Sequence, residues 1–126
     1  MTWRDTFASL STEDKIAAAI LCAWPTTDSI PWRRWAVGWL TGEDQRDRAA
    51  LPAYIEAPLY SSSCYASQSV VYRVSAVTLS GDSTEFAVDA AESEHGIDVD
   101  PILDDIAAGD LQRHVDRVEQ ELACAP

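Results

Sequence analysis

The sequence predicts an all-α fold, a compact bundle of six or seven short helices in one domain spanning residues 1–126. Three observations lead there. Apolar residues recur at three- and four-residue spacing along most of the chain. Residues that cap helix N-termini stand just before these stretches. Glycine or proline stands just after them. With 126 residues, 47% of them hydrophobic, the chain buries roughly two thirds of its unfolded surface. It therefore needs no metal or disulfide to fold.

The elements follow in order. Thr2 and Asp5 have the spacing of a capping box for a first short helix running to Leu10. Ser11 caps the second, and Glu13 and Asp14 place negative charge in its first turn, where the helix dipole favours it. Ile16, Ala19, Ile20 and Ala23 form its stripe, and Pro25 ends it. Ser29 and Pro31 open a third helix. Its face carries Trp32, Trp35, Ala36, Trp39 and Leu40, and Gly42 stops it. Three tryptophans on one stripe mark this helix as the organiser of the core. Residues 43–51 read as a charged helix that Pro52 kinks or ends.

Residues 69–89 admit two readings. Val70, Val71, Val74 and Val77 fit a helical stripe, and Asp82 or Ser83, with Glu85 close behind, opens a further helix through Phe86, Ala87, Ala90 and Ala91 to Gly96. The same valines are β-branched, so an α+β alternative places a hairpin here, turning at Gly81-Asp82 and returning through Phe86-Ala87-Val88. The helical reading is preferred. Asp100-Pro101 starts the next helix, with Ile102, Leu103, Ile106 and Ala107 on its apolar face and Gly109 as its stop. Asp110 caps the last, whose stripe is Leu111, Val115, Val118 and Leu122.

Charge is the most informative property for function. The formal net charge is −12, and it is unevenly spread. Residues 65–126 hold thirteen acidic side chains against three basic ones, whereas residues 1–64 hold eight against six. Such a field repels nucleic acid and anionic membrane surfaces and draws in basic ones. Neither direct nucleic-acid binding nor membrane association is expected. The longest apolar run, Ile16 to Trp24, is far short of the ~20 residues that span a bilayer. Cys22, Cys64 and Cys124 are odd in number and form no C-x-x-C pair. They read as thiols of a reducing cytoplasm, with Cys22 in the core.

The search for chemistry yields little. His95 and His114 belong to no ligand motif and read as surface or helix-end side chains. Asp98-Val99-Asp100 begins like a calcium loop, but Ile102 and Leu103 stand where an oxygen donor and a glycine are needed. Cys64 is the one candidate for an exposed thiol nucleophile, and nothing nearby in sequence activates it. No catalytic residue, cofactor or metal is expected. The acidic set remains: Glu85, Asp89, Glu92, Glu94, Asp98, Asp100, Asp104, Asp105, Asp110, Asp116, Glu119 and Glu121. Gathered on helices, these carboxylates offer a surface for a basic protein partner, or one that imitates the phosphate rows of DNA.

The segment Trp32-Arg33-Arg34-Trp35-Ala36-Val37-Gly38-Trp39-Leu40-Thr41-Gly42-Glu43-Asp44 resembles part of a family of small helical bacterial immunity proteins. Ile20-Leu21-Cys22-Ala23-Trp24-Pro25 and Ala49-Ala50 are similar in position. The likeness covers about residues 20–95 and departs at Val70–Val77, where that family is richer in alanine. The resemblance implies an all-α fold and toxin neutralisation, and supplies no site residues. The expectation is an acidic binding or inhibitory protein, either immunity-like or a phage-encoded anti-defence protein such as an anti-CRISPR. A small enzyme with a non-standard site and a structural adaptor are the alternatives.

Overall fold

Eight consecutive residues, Ile16 to Ala23, are buried in one helix. A helix apolar on every side belongs in the middle of a protein rather than on its surface. The computed structural model places it there. It describes residues 2–58, 61–75 and 83–125, with residues 72–75 described by their backbone alone. Among the described residues there are eight α-helices and no strand. They are α1 (Trp3–Ala8), α2 (Thr12–Ala23), α3 (Ile30–Thr41), α4 (Ala50–Glu56), α5 (Ser62–Ser75), α6 (Ser83–His95), α7 (Asp100–Ala107) and α8 (Leu111–Ala123). The count exceeds the six or seven expected. One 3-10 turn, Trp24–Thr26, follows α2.

α2 packs against α5, α6 and α7. Ala17, Ala18 and Ala19 let these neighbours approach closely, while Ile16, Ile20 and Leu21 fill the space between. α5 matches this with small residues of its own. Its buried Ser62 donates to the Ala87 carbonyl of α6 at 2.6 Å, and Ser67 donates to the carbonyls of Ser63 and Cys64. The tryptophan helix α3 lies to one side, against α4 and α8. Trp32, Trp35 and Trp39 are all buried, so none is exposed as a stacking platform or oligomer face. They support the core without forming its centre.

The expected starts and stops are largely realised. Ser11 accepts from the Asp14 N–H at 3.1 Å, and Ser29 from the Trp32 N–H at 3.4 Å. Gly42 and Gly109 take φ of 79° and 85°, the left-handed conformation that glycine enters without a Cβ penalty. Each allows the next residue to close back on the helix: Glu43 N–H bonds to Gly38 O at 3.0 Å, and Asp110 N–H to Asp105 O at 2.8 Å.

Two segments depart from expectation. The hairpin alternative fails, since residues 69–75 and 83–89 are helical. Val77 and the proposed turn at Gly81-Asp82 lie outside the described residues. The charged helix expected over residues 43–51 is also absent. Residues 44–49 are turns, with Gln45 at φ 66°, and α4 begins at Ala50. Pro52 explains the difference. Its ring clashes with a helical carbonyl four residues back and it has no N–H to give. It cannot sit in the interior of a helix begun at Glu43. It fits the first turn of a new one, where that N–H has no helical partner.

The tight environment of α2 leads to a test. Ala18→Leu should lower stability by about 1–3 kcal/mol through overpacking. The same change at exposed Ala123 should stay within about 0.5 kcal/mol. Urea unfolding of both variants measures the difference.

Candidate partner-binding surface

The five tryptophans decide what much of the charge does. Each buries a large ring and carries one N–H that must find an acceptor. Trp32 and Trp35 donate to the backbone carbonyls of Ser63 (3.1 Å) and Arg46 (3.0 Å). Trp39 donates to Asp47 at 3.1 Å, Trp3 to Glu92 at 3.1 Å, and Trp24 to Glu121. Three guanidinium groups cover the same rings. Arg4 lies 4.4 Å from the Trp3 centroid, Arg33 4.6 Å from Trp24, and Arg46 4.2 Å from Trp39.

This arrangement divides the twelve carboxylates singled out from the sequence. Seven are engaged within the molecule. Arg4 on α1 reaches Asp89 at 2.7 Å and Glu85 at 3.5 Å, which with the Trp3–Glu92 bond ties α1 to α6. Arg113 pairs with Asp105 and Asp110. Asp116 accepts from Gln112 at 2.9 Å, and Glu121 adds an ion pair with Arg117 at 3.6 Å. The other five, Glu94, Asp98, Asp100, Asp104 and Glu119, have no hydrogen-bond or ion-pair partner among the described residues. All five are exposed.

Four of these five follow one another through the end of α6, the connecting loop and α7. Asp100 and Asp104 lie one turn apart on α7, exposed, while Leu103 and Ile106 of the same helix are buried. The sequence around them is one-sided. Residues 74–112 contain ten Asp or Glu and no Lys or Arg. Among the described residues, the arginines that pair with them are Arg4, far away in sequence, and Arg113. Neither reaches the corner between α6 and α7.

Two side chains expected at the surface are buried. His114 is 8% exposed because Asp105 receives it: its Nε2 donates to Asp105 Oδ2 at 2.8 Å. Arg117 can only donate, so the Nδ1 that it meets at 3.4 Å accepts. Both ring nitrogens are thus occupied internally, which suits a support between α7 and α8 better than a base for catalysis. The hydrogen bond from His114, followed by the charge of Arg113, holds the Asp105 carboxyl below its ordinary value against the opposing effect of burial. Cys64 is 3% exposed and cannot serve as the exposed nucleophile considered from the sequence. Cys22 is fully buried, as expected. Desolvation, with a smaller contribution from Glu92, pushes its thiol far above the ordinary range.

One surface feature was not anticipated. Phe86 was placed on the apolar rhythm of α6, yet it is 47% exposed. The buried face of α6 runs through Thr84, Ala87, Val88 and Ala91, and Phe86 falls outside it. Its ring meets Tyr65 of α5 with centroids 5.5 Å apart. Together with Asp89, Ala90 and Glu94 the pair lines a cleft of about 220 Å³. Among the described residues, no group of three or more His, Cys, Asp or Glu is placed to hold a metal ion. No described helix is long and apolar enough to cross a membrane. No family model, curated protein or solved structure matches the chain.

The division of the carboxylates is open to direct test. Glu92→Ala and Glu121→Ala each leave a tryptophan N–H without its acceptor and should cost about 1–2 kcal/mol. Asp104→Ala and Glu119→Ala remove unpaired exposed charges and should change stability by no more than about 0.5 kcal/mol. Chemical denaturation of the four variants separates structural carboxylates from available ones.

Proposed function

We propose that this chain is an acidic binding protein that captures and neutralises a basic protein partner. The observation that carries the reading is the unpaired series Glu94, Asp98, Asp100 and Asp104 at the corner between α6 and α7. Carboxylates paired with an arginine add less to encounter, because a cation compensates them, whereas Glu92 and Asp116 accept from the neutral Trp3 and Gln112 and keep their charge. Unpaired ones on a surface with no neighbouring cation project their potential into solvent and accelerate association with a positive surface. The rigid α7 helix fixes the spacing of Asp100 and Asp104, so the partner's cations meet a preformed pattern. A nucleic-acid-handling protein has the required basic surface, as does a toxin that acts on nucleic acid. The resemblance of residues 20–95 to immunity proteins favours the toxin as partner.

Affinity capture from the source cell tests this, with the natural chain and a variant carrying Glu94→Gln, Asp98→Asn, Asp100→Asn and Asp104→Asn as parallel baits. The natural chain should retain a basic protein that the neutralised variant does not, and added salt should release it. Equal retention by both baits would overturn the proposal, as would an acidic partner or no retained protein.

A further inference from the structure

We infer that the Tyr65–Phe86 cleft is a receptor for a single arginine side chain of the partner. The inference rests on the reading of this chain as a binder of basic proteins, and adds where and how one residue docks. Phe86 is half-exposed, and covering its ring would remove apolar surface from water. Here it does not stand alone. Tyr65 leans against it at a tilt of 54°, so two aromatic faces border one opening. Ala90, one turn along α6, completes the lining with a small side chain, together with Asp89 and Glu94.

This lining selects its ligand by chemistry. Purely apolar ligands would bring the two carboxylates into contact with hydrocarbon and desolvate them. An anion would be repelled. A flat cation satisfies both parts at once, its face against an aromatic ring and its N–H groups toward carboxylate oxygens. Guanidinium suits this better than ammonium because it is planar, less strongly hydrated and able to stack. The same combination already operates inside the protein, where Arg4 lies on Trp3 and reaches Asp89 and Glu85. Arg4 binds Asp89 through Oδ1 and so steadies that carboxylate at the edge of the cleft. Glu94 has no partner among the described residues and is the principal counter-charge for an incoming cation. It also belongs to the unpaired series, so the cleft adjoins the surface assigned to encounter.

The test is an NMR titration of the full chain with three peptides: acetyl-Gly-Arg-Gly-amide, its lysine counterpart and its neutral citrulline counterpart. The arginine peptide should give saturable shifts at Tyr65, Phe86, Ala90 and Glu94. Citrulline should bind about tenfold more weakly or not at all. Glu94→Gln and Phe86→Ala should abolish the saturable response, with Phe86→Leu as a second variant that keeps apolar bulk if the alanine variant unfolds. Shifts spread evenly over all exposed carboxylates would overturn the cleft, as would unchanged binding by folded Phe86→Leu. Lysine binding equal to arginine would overturn the guanidinium assignment. Arginine binding here by a chain that captures no basic protein would contradict the proposed function while upholding the cleft. Capture of a basic protein unaffected by Phe86→Leu and Glu94→Gln would do the reverse.

Discussion

Burial of α2 on every side is the constraint from which the rest of the structure follows. No polar side chain can be placed anywhere on Ile16–Ala23 without desolvation, and none is. The helices around it must each present an apolar or small-residue face inward. Their polar residues are thereby sent outward. α6, α7 and α8 carry ten of the 21 acidic side chains, none of them buried. The lopsided charge of the sequence becomes a spatial property through packing.

Tryptophan then determines which charges remain available. Each indole is both the largest apolar group in the chain and a donor that cannot be left unsatisfied. Glu92, Glu121 and Asp47 meet that requirement, and Arg4, Arg33 and Arg46 cover the ring faces. Arg33 also donates to the carbonyls of Trp24 and Thr27, closing the end of the 3-10 turn. Half of the six cations in the N-terminal half thus cover tryptophans. The C-terminal half is short of cations from the outset. The unpaired carboxylates from Glu94 to Asp104, with Glu119 on α8, are among those left when these internal obligations have been met.

Local signals made much of the fold legible in the sequence. Ser11, Ser29, Pro25, Gly42 and Gly109 act through neighbours within a few residues, and each marks the boundary expected of it. The tryptophan stripe of α3 was legible for the same reason. Pro52 reads as a stop because its ring is excluded from a helix interior, yet the first turn of α4 accommodates it. The partition of the acidic set was not legible. Trp3 and Glu92 are 89 residues apart, and Trp24 and Glu121 are 97 apart, so no sequence pattern announces either pair. His114 was hidden for a similar reason, since its burial depends on Asp105 of another helix. Phe86 lay close enough to the apolar rhythm of α6 to be mistaken for core, and only the packing of α5 shows it outside.

Association kinetics test the central claim, that unpaired carboxylates between α6 and α7 steer a positive surface to this protein. With the captured partner in stopped flow, the association rate constant should fall steeply as ionic strength rises. Neutralising Glu94, Asp98, Asp100 and Asp104 together should flatten that dependence while the protein stays folded. A rate constant indifferent to salt, or a salt dependence equally steep in the neutralised protein, would contradict the account.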